Sequence, residues 1–394
     1  MPAAAPPDQS PFSLAFVAHA VHRRGGMERA ACEVLARVAR RVPVTVIASA
    51  CDMPEASLRF ERVTAPQRPA VLRTWAFARA ARTIETRVGA TITNAIGAAA
   101  IDADVITAQF CHAAFTARFG GLRGGRGLRA LYQRVSGARF VAEERHAYGS
   151  RRLKQVIAVS QGTARELQEM YGVAEERITV VPNGVDRTVF APAADGEAKA
   201  ALRTKLGLPA DAFLALFVGG DWERKGVRDA IAAIAGVPDA HLVVLGRGDA
   251  EAFGAYAARV GSGRRVSFVP PSPSPEQFYA ACDCFVFPSR YEAFSLVTLE
   301  AAASGLPIIA HAINGTEELV AADHNGWLVP FGPDALAEKV LRLRDDAAVR
   351  ARMSVAATQS AVRYDWDRIA DEQFAVFTRA AAEARQAPRA MRTR

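Results

Sequence analysis

The chain has 394 residues, half of them apolar, with 29 Gly and 21 Pro; this suits two domains of roughly 150–200 residues and excludes a disordered or fibrous chain. The net charge of +8 is uneven: residues 1–190 carry 26 Lys and Arg against 16 Asp and Glu, or +10, and the remainder 23 against 25, or −2. No apolar run approaches the ~20 residues that span a bilayer, and the opening segment lacks a basic stretch followed by a hydrophobic one, so neither a membrane span nor a secretory signal is expected.

Short apolar runs alternate with amphipathic stretches, the signature of parallel α/β structure. A strand is predicted at 12–18, a glycine turn at Gly25-Gly26, a helix at 27–40 and a strand at 44–48. A helix at 71–88 and a strand end at 104–107 follow, then a helix running to about 148, a strand at 155–160, a helix at 163–171 and a strand at 178–181. Pro182-Asn183-Gly184-Val185-Asp186 breaks the pattern, and the linker is placed at 192–198, where Ala, Pro and Asp dominate. A second series then begins: strands at 213–218, 241–245, 266–269, 284–288 and 307–310, separated by helices, with amphipathic helices at 334–344 and 347–360. A long last helix is predicted at 366–385.

The reading is therefore a lead-in at 1–11, a Rossmann-like domain at 12–190, a second at 191–364, a C-terminal helix at 365–386 and a basic tail at 387–394. A ligand is expected where strand ends face the cleft between the two domains.

The five cysteines, Cys32, Cys51, Cys111, Cys282 and Cys284, are scattered through apolar stretches, which points to buried thiols in a reducing, cytoplasmic compartment. Cys282 and Cys284 have no second pair to complete a zinc set, so no metal is expected. Between residues 105 and 141 there is no acid, while Arg118, Arg123, Arg126, Arg129, Arg134 and Arg139 recur. Such a patch suits an anionic partner, such as a membrane surface or a phosphorylated glycolipid, or is solvated surface. Nucleic acid is disfavoured, because no recognition helix, zinc spacing or aromatic RNA-binding motif accompanies the charge.

Two segments carry chemistry. In Ser289-Arg290-Tyr291-Glu292-Ala293-Phe294-Ser295-Leu296-Val297-Thr298-Leu299-Glu300, two carboxylates lie eight positions apart around a strand-to-helix turn. Ser295 is placed to cap the helix, and the amides of Phe294, Ser295 and Leu296 suit a phosphate. Glu300 is placed to reach a hydroxyl pair such as a ribose. In Val218-Gly219-Gly220-Asp221-Trp222-Glu223-Arg224-Lys225-Gly226, Gly219 permits close backbone approach and adjacent Arg224 and Lys225 offer two cations to a departing diphosphate. Either pair alone also reads as ordinary solvated surface; together on one sheet edge they favour a sugar nucleotide.

These motifs, with Val180-Val181-Pro182-Asn183-Gly184-Val185-Asp186, Val156-Ile157-Ala158-Val159-Ser160, Gly25-Gly26-Met27-Glu28-Arg29 and Asn325-Gly326-Trp327-Leu328-Val329, resemble the family-4 retaining glycosyltransferases of GT-B fold over about residues 12–382. The Arg224-Lys225 arrangement is similar to lipopolysaccharide core glucosyltransferases; the commoner family pattern has Arg where this chain has Gly220. The resemblance implies a nucleoside diphosphate sugar donor, UDP-linked by that likeness, and a glycan or glycolipid acceptor. It implies retention without a metal or other cofactor, and work at the inner face of the membrane. Glu292 would hold donor-sugar hydroxyls, Glu300 the ribose, and Arg224, Lys225 and the amides of Phe294, Ser295 and Leu296 the diphosphate. Gly25 and Gly26 would let the first loop close over the phosphates, and the base would lie near 269–272. His112 would stand near the sugar, with His19, His22 and His146 as alternatives, and Glu143, Glu144 and His146 on a helix facing acceptor or cleft. The last helix would return to the first domain. A sugar-nucleotide epimerase on the same fold is the alternative activity; a phosphorylase would require a cofactor lysine that the sequence does not reveal.

Overall fold

The computed structural model describes residues 10–54, 56–66, 70–119 and 128–386. The lead-in at 1–9, the tail at 387–394, and Arg123 and Arg126 lie outside them; the backbone of Arg129 is described but its side chain is not.

Two compact units emerge, one formed by residues 1–183 with 366–394, the other by 184–365. The first holds a seven-stranded sheet of β1 (Leu14–Val17), β2 (Val44–Ala48), β3 (Arg59–Arg62), β4 (Ile92–Ile96), β5 (Val105–Ala108), β6 (Gln155–Ala158) and β7 (Ile178–Val180). Its order is β3-β2-β1-β4-β5-β6-β7, and every pairing is parallel. The second holds β8 (Phe213–Val218), β9 (Ala240–Leu245), β10 (Val266–Val269), β11 (Cys284–Phe287), β12 (Ile308–His311) and β13 (Gly326–Val329), ordered β10-β9-β8-β11-β12-β13 and again all parallel. Helices cover parallel sheets on both faces, so the central strands read as unbroken apolar runs: β5, β9, β11 and β12 are buried throughout. In each sheet the chain order reverses once, between β1 and β4 and between β8 and β11, and loops after those strands are where ligands bind in such folds.

β3, β4, β13, the helix His112–Phe119 and the stretch that opens the second series all depart from the sequence expectation. β3 is a charged edge strand with no fully buried residue, so it has no apolar run to betray it. β4 carries Thr93 and Asn94 at its centre, which mask the strand in a hydropathy reading; Arg152 donates to the Thr93 hydroxyl at 3.0 Å and Thr107 to Asn94 Oδ1 at 3.0 Å. The stretch predicted as a linker leads instead into the helix Gly196–Lys205, capped by Asp195, whose side chain accepts from the Ala198 amide. Arg203 pins that helix through Asp283 at 2.7 Å and three backbone carbonyls.

The boundary accordingly falls at 183/184, earlier than the predicted 190/191. The reason is local: the Val185 amide donates to the Tyr364 carbonyl at 2.8 Å, which ties residues just past Asn183 into the second unit. The last helix, Trp366–Gln386, falls in the first unit. Arg37 pairs with Asp367, Arg41 with Asp371, and Phe12 packs on Phe374 at 5.5 Å.

Candidate functional site

In the second unit, the loops after β8 and β11 meet across the order reversal. Gly226 adopts φ +76°, and a Cβ there would stand 2.1 Å from the Pro288 carbonyl oxygen, so only glycine permits this contact. The Arg290 amide donates to the Arg224 carbonyl at 3.0 Å, fastening the two loops again. Gly219, at φ +143°, leaves room for the stem of Lys225, whose Cδ would lie 2.8 Å from a Cβ.

This packing gathers the predicted charges. Glu292 Oε1 accepts from Lys225 Nζ at 2.7 Å, Arg224 Nη1 at 2.9 Å and Ser289 Oγ at 3.1 Å. Arg224 also pairs with Asp221 at 2.8 Å and donates to the Tyr291 carbonyl. Lys225 lies over the Phe287 ring at 4.8 Å. Burial alone would raise the Glu292 carboxyl, but the charges of Lys225 and Arg224 outweigh it and hold the group below the usual carboxylate range. Burial likewise opposes the Arg224 charge, and Glu292 and Asp221 more than reverse this, raising it. The sequence reading put Glu292 and Lys225 in a solvated setting; their side chains are only 14% and 13% exposed. Two acids therefore already balance the two cations before any ligand arrives.

The helix Leu296–Ala303 opens beside this cluster. Its first-turn amides lack intrahelical acceptors, which with the helix dipole suits an anion. Ser295 occupies the cap position, but its side chain makes no cap hydrogen bond, contrary to the expectation. Its hydroxyl and that of Thr298 are both buried with no hydrogen-bond partner among the described residues. Phe294 and Leu296 are buried on either side of it. Glu300 is 3% exposed, and its Oε2 accepts from the Tyr279 hydroxyl at 2.7 Å. In the segment proposed for the base, Ser272 Oγ accepts from the Ser274 amide.

In the first unit, Gly25 precedes the helix Gly26–Val38 with φ +94°, in the loop after β1. His112 starts the helix His112–Phe119 after β5. Its Nδ1 lies 2.6 Å from Glu144 Oε1, and its amide donates to Glu144 Oε2 at 2.9 Å. The Tyr171 hydroxyl donates to the same Oε2. Burial and then the Glu144 charge raise Tyr171 well above the ordinary phenol range, keeping it a donor. The His112 ring stacks on Phe140 at 4.9 Å and tilts against Phe110 at 4.8 Å. Glu143 turns elsewhere, to Arg139 and Thr74. His146 is exposed, the His22 ring accepts from the Arg24 amide, and His19 packs on Phe77.

Sequence reasoning missed Ser289, Thr298, Tyr279 and Tyr171. Tyr279 and Tyr171 act through carboxylates 21 and 27 residues away, whereas Ser289 and Thr298 lay inside a segment already singled out. All five cysteines are unpaired by disulfides, and burial raises Cys282 to about 12. Among the described residues no group of three or more His, Cys, Asp or Glu is arranged for a metal.

Two parallel sheets with reversed strand order, one carrying cations and helix-start amides beside the reversal, define a double Rossmann-like protein. Residues 24–189 match the model described as Glycosyltransferase Family 4, and residues 198–360 that described as Glycosyl transferases group 1. The chain belongs to the family-4 glycosyltransferases of GT-B fold. It is 35% identical over 260 residues to a D-inositol 3-phosphate glycosyltransferase of Thermomonospora curvata, covering 61% of this chain and 59% of that protein. A protein of the same description from Thermobispora bispora is 36% identical over 243 residues, 57% of this chain and 56% of the relative. The chain thus spans somewhat over half the length of these relatives. Among solved structures it superposes on WaaG, a glycosyltransferase involved in lipopolysaccharide biosynthesis, with a TM-score of 0.79 at 23% identity, covering 95% of this chain and 100% of that one. Anabaena Alr3699/HepE in complex with UDP-glucose gives 0.74 at 20% identity, covering 93% and 100%. At these identities the likeness speaks for the fold.

Proposed function

We propose that the protein is a retaining glycosyltransferase that moves a sugar from a nucleoside diphosphate, UDP by preference, to a hydroxyl of a glycan or glycolipid in cell-envelope or lipopolysaccharide synthesis. No metal or other cofactor takes part. The observation that carries this reading is the meeting of Arg224, Lys225 and Glu292 at the β8/β11 reversal, beside first-turn amides and two buried hydroxyls with no partner among the described residues. The cations and amides hold the diphosphate, and Glu292 holds sugar hydroxyls. Glu300 serves the ribose, and His112 Nε2 meets a hydroxyl of the sugar. Gly25 and Gly26 let the first loop approach the phosphates.

In the transfer step the bond from the anomeric carbon to the β-phosphate oxygen breaks. The acceptor oxygen bonds to that carbon on the same face, and its proton passes to the departing phosphate. The basic first half suits an acceptor that bears phosphate, as does the inositol 3-phosphate named for the curated relatives. It also suits peripheral contact with an anionic membrane on the cytoplasmic side, where exposed Trp75, Tyr132 and Val135 accompany Arg134. No helix among the described residues is long and apolar enough to cross a membrane.

The test incubates the protein with UDP-, GDP- and ADP-sugars, each with lipopolysaccharide core acceptor, inositol 3-phosphate or no acceptor. Product anomers are then assigned by NMR in the presence and absence of EDTA. Transfer with retained configuration and no effect of EDTA is expected. Inverted product, or an epimerised donor formed without acceptor, overturns the reading. Sedimentation with liposomes, with and without anionic lipid, checks the membrane contact.

A further inference from the structure

The Glu144 carboxylate is 3% exposed, and among the described residues no Lys or Arg is one of its hydrogen-bond partners. Three groups contact it: the His112 amide, the His112 ring and the Tyr171 hydroxyl. The amide is one that the first turn of a helix leaves without an acceptor, so the carboxylate also completes the start of the helix His112–Phe119. Since Glu144 Oε1 only accepts, the proton of a neutral His112 ring belongs on Nδ1, and Nε2 presents a lone pair. Phe110 and Phe140 pack against the ring, and the side chain is 35% exposed. Other charges near this cluster are already committed: Glu166 pairs with Arg118 at 2.9 Å and Glu143 with Arg139 at 2.9 Å.

We infer that Glu144 and Tyr171 are positioning residues that fix His112 as its Nδ1–H tautomer, so that Nε2 accepts a hydrogen bond from a substrate hydroxyl. The group recognised is a hydroxyl of a sugar or polyol. A phosphate monoanion or dianion is a poor fit, because it offers few or no protons to a lone pair. The inference rests on the proposed transferase activity for its kinetic consequence, but not for the tautomer itself.

The test has two arms on the full chain. In the first, the ring nitrogens of 15N-histidine-labelled protein are read by NMR at a pH where His112 is neutral, with His112→Ala to assign the signal. A protonated Nδ1 in the wild type, shifting to a mixture of tautomers in Glu144→Gln, is expected; an Nε2–H tautomer in the wild type overturns the inference. In the second, transfer is measured for Glu144→Gln, Tyr171→Phe, His112→Ala and the Glu144→Gln/His112→Ala pair. If Glu144 acts through His112, the first variant lowers kcat by about 10–100-fold, the second about 3-fold, and the double variant is no slower than His112→Ala alone. Multiplying effects overturn the positioning role. Tyr171→Phe keeps the carboxylate and ring in place, so its smaller loss stands even if Glu144→Gln folds poorly. A wild type that transfers from no donor while showing the Nδ1–H tautomer overturns the transferase reading and supports the tautomer assignment.

Discussion

Glu144 in the first unit and Glu292 in the second are low-exposure carboxylates beside the carboxyl ends of parallel strands, and they are held in opposite ways. Glu144 is held by the His112 amide and ring and the Tyr171 hydroxyl, contacts that orient one imidazole. Glu292 is held by Lys225 and Arg224, which offset its charge. A carboxylate held by an imidazole, an amide and a hydroxyl sets direction; one held by cations sets charge balance. Glu85 shows what happens with neither arrangement complete. It is 8% exposed with Oε1 unpartnered, and burial raises it to about 7 despite help from Thr93 and Arg152.

Variants can break or sharpen this contrast. The largest expected effect is at Lys225→Ala, which removes a proposed diphosphate cation and leaves Glu292 with Arg224 and Ser289 alone. Transfer should fall about 1000-fold or more, or at least about 4 kcal/mol in transition-state stabilisation, with the fold intact by circular dichroism. Activity within tenfold of wild type would end the assignment of this cluster.

Next is Gly226→Ala, which drives a methyl into the Pro288 carbonyl at a positive φ. It should cost more than about 3 kcal/mol and pull the two loops apart, seen as a lowered Tm with lost donor binding. Glu292→Gln follows, at about 2–3 kcal/mol of stability, because two cations lose their shared partner in a poorly hydrated place. A stability equal to wild type would mean the ion pair contributes nothing there.

A smaller effect is expected at Glu85→Gln, and its sign depends on pH. The folded carboxyl binds its proton more tightly than the unfolded one, whose ordinary value is 4.5. The favourable contribution is therefore full below about 4.5 and is lost as pH rises through about 7. Wild type should be roughly 1–3 kcal/mol less stable at pH 8 than at pH 5 from this group. Glu85→Gln should flatten that slope in urea titrations at the two pH values; an unchanged slope would rule Glu85 out. Smallest on stability are Ser295→Ala and Thr298→Val, expected within about 0.5 kcal/mol because neither hydroxyl has a partner to lose among the described residues. UDP affinity by calorimetry should nonetheless weaken about 3–10-fold, and unchanged affinity would remove both hydroxyls from the site.

Much of this was legible in the chain itself. The buried strands of the second unit announce themselves as apolar runs, and the Arg224-Lys225 and Glu292-to-Glu300 segments stand out because charges interrupt a glycine or apolar background at strand ends. What stayed hidden depends on partners. β4 was masked by Thr93 and Asn94, whose side-chain partners Arg152 and Thr107 lie on later stretches. The helix Gly196–Lys205 looked like a linker because its anchor, Asp283, lies some 80 residues on. Local pattern also could not tell that Glu292 and Lys225 pair with each other, since residues 67 apart meet only when Gly226 lets two loops touch.

The helix Trp366–Gln386 has a consequence for synthesis and for dissection of the gene. The first unit is discontinuous: its sheet is made early, but the helix whose Asp367, Asp371 and Phe374 engage Arg37, Arg41 and Phe12 is made only after the whole second unit. The second unit, one unbroken stretch, is complete before that helix exists. A fragment ending near residue 183 would therefore expose the apolar surface this helix covers, whereas residues 184–365 carry every residue of their own sheet.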